Sequence, residues 1–147
     1  MPVEKILKHL AMTIGLAVLA AGCASGPKYA EYRAQLKPPD AGFGRVWFYR
    51  PSSLGMAVQP TVQLDDRNVG TAVPRGFFQV QVLPGDHTVK CTTEWTHQTT
   101  ITVSTNIDSY VRLEMMMGVF VGHVIPKEVT ENQAIPEIKD LHHTGGD

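Results

Sequence analysis

The sequence predicts an all-β fold, a single antiparallel β-sandwich of about seven to eight strands. From Phe43 onward, hydrophobic residues alternate with period two, as they do in half-buried strands. Turn-forming residues also recur at the short, regular spacing that is typical of sandwiches and barrels. Strands do not alternate with long helical segments, so a parallel sheet is not expected. Residues 43–141 are enough for one core between two packed sheets, which predicts one domain.

Each strand is predicted from a run of β-branched or aromatic residues that ends at turn-forming residues. Arg45–Arg50 is the first of these runs, and Pro51 closes it. The other predicted strands are Thr61–Leu64, Asn68–Ala72, Phe77–Val82, His87–Trp95, Thr99–Ser104, Ser109–Met117 and Val119–Val129. Glu131–Leu141 is a candidate helix of one or two turns, because Thr130 suits an N-cap but Pro136 interrupts the segment.

The N-terminal segment has the order of a secretory signal peptide. Basic residues precede the apolar run Leu10–Leu19, and three small residues then lead to Cys23. The run is about half the roughly 20 residues that a membrane-spanning helix needs. The alternative, a short buried helix of the domain, is disfavoured because no polar face of helical period accompanies the run. Residues 1–22 are therefore predicted to be removed.

Residues 19–23 resemble the lipobox of bacterial lipoproteins, with leucine one place further upstream than is usual. The resemblance implies cleavage between Gly22 and Cys23, and a diacylglycerol thioether with an N-acyl chain such as palmitate on Cys23. Several acyl chains together hold a protein on a membrane essentially permanently. Ala24 stands where an aspartate would imply retention in the inner membrane. The expected location is therefore the periplasmic leaflet of a Gram-negative outer membrane.

The segments on either side of the domain are expected to lack a fixed structure. Residues 23–42 contain several prolines and small residues, which predicts a flexible tether between the lipid and the domain. Within it, residues 28–36 carry a short Tyr29, Tyr32 and Leu36 pattern, so a helical turn or two there is the alternative. Residues 142–147 are predicted to form a disordered polar tail.

Composition excludes several classes of function. The 147 residues include 13 Lys+Arg and 14 Asp+Glu, a net charge of −1 that provides no basic surface for nucleic acid. Two cysteines cannot form a disulfide scaffold, and no closely spaced Cys/His set matches a structural zinc site.

Candidate metal ligands have simpler interpretations. Asp65 and Asp66 supply too few oxygens for Ca²⁺, so a solvated turn is favoured. His87 and Cys91 share a strand face but lie about 13 Å apart, too far to chelate one metal ion. The pair His142–His143 is assigned to the polar tail. We therefore expect no metal and no cofactor.

Catalytic motifs are not apparent either. Cys91 is expected to face inward together with Val89 and Trp95, and a thiol in apolar surroundings is normally unreactive. No nucleophile lies in a glycine-flanked elbow, and no carboxylate pair lies in a segment that would form a cleft. A non-catalytic protein with no small-molecule substrate is expected.

The segment from Met115 to Val121 is the most unusual part of the sequence, because its adjacent apolar residues project to both faces of a strand. A strand that is buried on both sides is the favoured interpretation. An exposed docking surface is the alternative. Its contact residues would be Met115, Met116, Met117, Val119, Phe120 and Val121.

Several strand and turn segments together resemble a known family. These segments are Gly44–Ser52, Val62–Gly70, Leu83–Val89, Tyr110–Leu113 and Gly118–Gly122. They look like the β domain of bacterial lipoproteins known as domain of unknown function 2846. The hairpin and the Pro-Gly turn are also similar to PEGA-type surface modules, which implies an immunoglobulin-like or transthyretin-like sandwich. Neither resemblance supplies catalytic residues.

The expected function is that of a lipid-anchored cell-envelope lipoprotein whose β domain binds or assembles with a partner in the periplasm. An envelope protein or a cell-wall component is the expected partner, in addition to the membrane that holds the anchor. A periplasmic hydrolase or a metal-handling protein with an unrecognised site is the alternative.

Overall fold

The structure, a computed structural model, describes residues 24–145; the predicted signal peptide, its cleavage site, Cys23 and residues 146–147 lie outside the described part. The strands in residues 24–145 are β1 (Gly44–Tyr49), β2 (Thr61–Leu64), β3 (Arg67–Thr71), β4 (Gly76–Val82), β5 (Gly85–Thr92), β6 (Thr96–Val103), β7 (Asp108–Met116), β8 (His123–Val129) and β9 (His142–His143). The helices are α1 (Tyr29–Gln35) and α2 (Glu131–Ile138). Neither of these helices has the length and hydrophobicity that crossing a bilayer requires.

The strands form two sheets that pack face to face, so the predicted all-β sandwich is confirmed. The five-stranded sheet has the order β8-β7-β1-β4-β9, and the four-stranded sheet has the order β3-β2-β5-β6. The larger sheet is mixed, because β1 pairs parallel with β7 and β4 pairs parallel with β9. Between β1 and β7 the chain crosses to the smaller sheet for β2 and β3, returns for β4, and crosses again for β5 and β6. This long connection lets β7 run in the same direction as β1. The prediction of a purely antiparallel sandwich is wrong at these pairings.

The main core lies between the two sheets. Phe48 of β1 and Phe78 of β4 stack at its centre, with ring centroids 5.0 Å apart. Its other buried members are Val46, Val62, Leu64, Val69, Ala72, Val80, Val82, Val89, Cys91, Ile101, Val103, Val111, Leu113 and Val124. These residues alternate along their strands with residues of the opposite face, which explains why period two predicted the strands.

A second core covers the outer face of the larger sheet. Trp47 and Tyr49 of β1, together with Phe77 of β4, pack there beneath the two helices. All six residues of β1 are consequently buried. A strand with both faces buried is a nearly continuous hydrophobic run, and Val46 to Tyr49 have this pattern.

Helix α1 corrects the prediction of a flexible tether over residues 23–42. Tyr29 is buried, and its ring lies 5.0 Å from that of Trp47 in an edge-on contact. Tyr32 makes a similar contact with Phe77 at 5.6 Å. Residues three apart share one face of a helix, so the two tyrosines dock α1 onto the sheet.

The prediction of a disordered tail also differs from the structure. His142 and His143 form β9, which extends the sheet beside β4. His142 Nδ1 lies 2.7 Å from the Gly26 carbonyl oxygen, and the His143 ring stacks on Tyr32 at 4.1 Å. Burial lowers the pKa of His143. These histidines fix the C-terminal segment by packing and hydrogen bonding.

Helix α2 agrees with the predicted short helix. The Thr130 backbone N–H donates to Gln133 Oε1 over 3.1 Å, as in a capping box. Pro136 lies inside the helix, which ends at Ile138. Ala134 and Ile138 are buried and turn this helix toward the sheet.

Cys91 and Trp95, near the β5–β6 hairpin, were both expected to face inward; only Cys91 does. Cys91 is buried as predicted, and burial raises the pKa of its thiol to about 12, which makes it unreactive at neutral pH. Trp95 was expected on the same inward face, but 68% of it is exposed. Strand β5 ends at Thr92, so the alternation of the strand no longer applies three residues later.

Candidate functional site

One end of the sandwich brings together three loops that are far apart in the sequence. Strands β1 and β7 run parallel with Tyr49 beside Arg112, so the loops that follow them leave at the same end. The β5–β6 hairpin joins them, because Thr93 Oγ1 lies 3.0 Å from His123 Nδ1 at the start of β8. We call the surface formed by loops 50–60, 93–95 and 117–122 the apolar end.

Exposed hydrophobic side chains are concentrated there. Val119 and Phe120 are each 89% exposed, the highest values among the large hydrophobic residues described. The other exposed large hydrophobic side chains of the apolar end are Leu54, Met56, Trp95, Met117 and Val121, and Met116 at the end of β7 adjoins them. Leu83 and Ile107 are the exceptions that lie at the opposite end. Such a concentration on one surface is typical of an interaction site.

This arrangement decides between the two interpretations of the segment from Met115 to Val121. Strand β7 ends at Met116, and residues 117–122 form a loop. The favoured interpretation, a strand buried on both sides, is therefore wrong. Met115 still packs against the main core, whereas the residues beyond it are exposed as the docking-surface alternative requires.

Met115 and two glycines hold the loops together. A Cβ atom at Gly55 or at Gly122 would collide with the terminal methyl group of Met115. Because glycine lacks Cβ, both loops approach this side chain closely. The base of loop 117–122 is therefore fixed to loop 50–60, while its tip remains in solvent.

Arg50 shapes loop 50–60 from within. It is fully buried, and its Nη1 donates to the carbonyl oxygens of Val58 and Ala72 over 2.5 and 2.8 Å. Its Nη2 donates to the carbonyls of Leu54 and Gly55 over 2.6 and 3.0 Å. No carboxylate within residues 24–145 pairs with Arg50, and burial lowers its pKa. In the sequence, the only sign that Arg50 shapes this loop is that a charged residue directly follows the hydrophobic run of β1.

Two histidines lie beneath the apolar end. The rings of His97 and His123 are 5.4 Å apart in an edge-on contact, and His97 Nε2 is buried. Protein zinc sites use three or four ligands. No group of three or more potential ligands occurs among the described residues, so this pair alone does not define a metal centre.

The aspartates considered for Ca²⁺ lie at the opposite end and form a turn, as favoured. Asp65 and Asp66 have positive φ angles of 49° and 65°, which suit a tight hairpin between β2 and β3. Asp65 Oδ1 accepts the Thr88 backbone N–H over 2.9 Å, and Asp66 Oδ1 lies 2.6 Å from Lys90 Nζ. Their carboxylates therefore bind protein groups.

His87 also belongs to this turn rather than to a site with Cys91. Its Nδ1 lies 2.6 Å from Asp65 Oδ2, and its Nε2 lies 2.7 Å from the Leu83 carbonyl oxygen. Only the protonated imidazole has an N–H for both acceptors. Burial lowers the pKa of His87, but the bonds to Asp65 and Leu83 outweigh it and raise this pKa. The same contact lowers the pKa of Asp65.

Between about pH 4 and pH 6.5, the ordinary pKa values of Asp and His, His87→Gln should lower the free energy of unfolding by about 0.5–1 kcal/mol. The value is small because Asp65 is partly exposed to solvent. Above this window the native His87 ring loses its proton as pH rises through its raised pKa, and the stability that the His87–Asp65 contact provides is lost. Below it, Asp65 is protonated as pH falls through its lowered pKa, with the same result. Urea unfolding at several pH values measures the difference between the proteins. An equal difference at acidic and alkaline pH would contradict the assignment.

At the end opposite the apolar end, a shallow hollow contains charged contacts that hold α1 to the sheet. Arg33 Nη1 lies 2.5 Å from Asp108 Oδ2, and Arg45 Nη1 lies 3.8 Å from Asp108 Oδ1. Arg45 Nη2 also donates to the Lys37 carbonyl oxygen over 2.5 Å. Through these contacts, Asp108 and Arg45 of the sheet hold α1 and the segment after it.

The fold and the site together define a class of protein: a small β-sandwich with helices on one outer face and an exposed apolar end. The chain belongs to the family described as protein of unknown function, DUF2846, whose model matches residues 40–124. The matched part contains all three loops of the apolar end. An uncharacterized protein of Haemophilus influenzae is 26% identical over 137 residues, which cover 90% of this chain and 82% of that protein. No solved structure is significantly similar to the chain.

The exposure of Val119 leads to a prediction that separates core from surface. Val119→Glu should change the free energy of unfolding by less than about 0.5 kcal/mol, because the new carboxylate remains in water. Val111→Glu is the matched control, since Val111 is buried on β7 and should lose on the order of 3 kcal/mol or more. Circular dichroism during urea unfolding measures both. A large loss in Val119→Glu would show that loop 117–122 is core.

Proposed function

We propose that this protein is a lipid-anchored lipoprotein of the bacterial cell envelope that acts by binding rather than by catalysis. Its lipid is attached to Cys23, and its domain faces the periplasm from the inner leaflet of the outer membrane. The apolar end is its contact surface. The lipobox resemblance supports the anchor, and the clustered exposed side chains support a binding role.

The lipobox-like residues 19–23 carry the proposal, and the contact of Ala24 with the domain indicates which part of the domain the predicted lipid would adjoin. Ala24 directly follows Cys23 in the sequence, and its backbone N–H donates to the Pro74 carbonyl oxygen over 3.4 Å. The chain therefore joins the folded domain within one residue of the predicted lipid. Consecutive Cα atoms are about 3.8 Å apart, so a lipid on Cys23 would be separated from the domain by one peptide unit.

A catalytic role receives no comparable support. The thiol of Cys91 is buried and has a raised pKa, which counts against a cysteine nucleophile. Arg33 and Arg45, in the hollow at the opposite end, pair with Asp108, and Arg45 also bonds to the Lys37 backbone carbonyl. The apolar end contains hydrophobic side chains instead of converging acids and bases.

The anchor is tested by Cys23→Ala in the full chain expressed in a Gram-negative bacterium. This variant should lose metabolic labelling by fatty acid and keep its signal peptide, because the thioether has no other attachment site. Cys91→Ala is the matched control and should be labelled and processed like the wild type. Gel mobility and mass spectrometry of the purified proteins measure both properties. Persistent labelling of Cys23→Ala would refute the lipobox assignment.

A further inference from the structure

We propose that the apolar end is seated in the lipid bilayer, with its loops inserted among the headgroups and upper acyl chains of the leaflet that holds Cys23. This inference rests on the proposed lipid anchor and adds a second, non-covalent contact with the membrane. The argument has three steps: the position of the anchor, the reach of the loops and the chemistry of the surface.

The anchor and the apolar end lie at the same end of the sandwich. Ala24 is hydrogen-bonded to Pro74, which lies two residues before the first residue of β4. The Arg50 backbone N–H donates to the Gly76 carbonyl over 2.9 Å, where loop 50–60 leaves β1. A lipid on Cys23 therefore attaches to the side of the molecule from which the exposed hydrophobic residues project.

The loops also have the right reach. Tyr49 lies beside Arg112, and β7 continues four residues further to Met116. At about 3.3 Å per residue, this extension places the start of loop 117–122 about 13 Å beyond the end of β1. Amphipathic segments insert about 5–10 Å into the interface. Insertion of the start of the loop to that depth leaves the end of β1, where Ala24 lies, about 3–8 Å outside the inserted layer, a distance that a lipid on Cys23 would span.

The chemistry of the surface favours lipid over a protein partner. Residues 115–122 are methionine, valine, phenylalanine and glycine alone, with no charge and no hydrogen-bonding side chain. Interfaces between soluble proteins carry about one hydrogen bond per 100–200 Å². Trp95 lies beside this tip on the β5–β6 hairpin, and tryptophan is typical of the membrane–water interface. The tip itself is uncharged and apolar, and Trp95 lies at its edge beside the exposed carboxylate of Glu94, which would stay in water among the headgroups. This arrangement matches the interface of a bilayer.

The test places a tryptophan at each end of the full acylated protein. Trp95→Phe removes the exposed tryptophan and leaves the buried Trp47 as a constant background. Phe120→Trp is then compared with Leu83→Trp, which is exposed at the opposite end. Each protein is purified with its lipid and reconstituted into phosphatidylcholine vesicles with brominated acyl chains. The tryptophan at 120 should emit at shorter wavelength and lose most of its emission to bromine, while the one at 83 should remain accessible to acrylamide.

The possible results separate this inference from the proposed function. An acylated protein whose tryptophan at 120 is accessible to acrylamide and unquenched by bromine overturns the inference and leaves the anchor intact. Emission at shorter wavelength without bromine quenching shows that a second copy covers the tip, and it also overturns the inference. If mass spectrometry finds Cys23 unmodified while bromine still quenches position 120, the proposed anchor fails and the membrane contact stands.

Discussion

Phe48→Ala should destabilise the domain by about 3–5 kcal/mol, since it removes a fully buried aromatic ring and leaves a cavity. Phe48 lies in the central strand of the larger sheet and stacks on Phe78 with ring centroids 5.0 Å apart. The outer face of β1 is covered by the helices through Trp47 and Tyr49, so the strand cannot move inward to fill the space. Such a loss is a large share of the stability of one small domain.

The matched control is Phe120→Ala, which deletes the same side chain at a position that is 89% exposed. It should change the free energy of unfolding by less than about 0.5 kcal/mol. Urea unfolding followed by circular dichroism measures both variants of the chain from residue 24 onward, because α1 is part of the second core. Similar losses in the two variants would contradict the assignment of one phenylalanine to core and the other to surface.

Arg50→Leu should cost about 3–5 kcal/mol, because the buried carbonyl of Ala72 and three partly buried carbonyls lose their donors together. The guanidinium donates to the carbonyls of Val58, Ala72, Leu54 and Gly55. Leucine fills part of the volume but donates no hydrogen bond, so loop 50–60 loses the contacts that shape it. Hydrogen exchange in this loop should accelerate more than in the β2–β3 hairpin at the opposite end.

Arg50→Lys is the informative companion variant. Its ammonium keeps the charge but has a compact group of three donors, which cannot span the four carbonyls that the planar guanidinium reaches. It should recover part of the lost stability and little of the protection of loop 50–60. If Arg50→Leu unfolds at the same urea concentration as the wild type, the carbonyls are solvated and Arg50 does not shape the loop.

The strands could be predicted from the sequence because alternation is a local property of each segment. The segment Phe77–Val82 shows this, since its predicted and observed bounds differ by one residue. The parallel pairing of β1 with β7 could not be predicted, because it depends on how a long connection crosses to the other sheet. Helix α1 had a signal in the continuous hydrophobic run of β1, which required a covering layer, but only the fold shows that Tyr29 and Tyr32 supply it.

Part of the apolar end could also be predicted from local sequence, and the rest could not because it depends on how the sheets pack. The unusual segment from Met115 to Val121 stood out by composition, and Gly118 and Gly122 were the signals that a loop begins after Met116. Leu54 and Trp95 could not be assigned to the same surface, because three connections distant in sequence meet only when the sheets pack. Arg50 was missed since its partners are backbone carbonyls, which any sequence would provide.

The pairing of β9 with β4 has a practical consequence for anyone who labels this protein. Thr144 donates its backbone N–H to the Phe77 carbonyl over 2.9 Å, and Ala24 is bonded to Pro74 just before the same strand. Both ends of the described chain thus lie beside the start of β4. A fluorescent protein fused to the C-terminus would therefore be placed beside Ala24, on the side of the domain where the proposed lipid would be attached. A tag inserted between Asp65 and Asp66 would instead project from the opposite end and leave that side open.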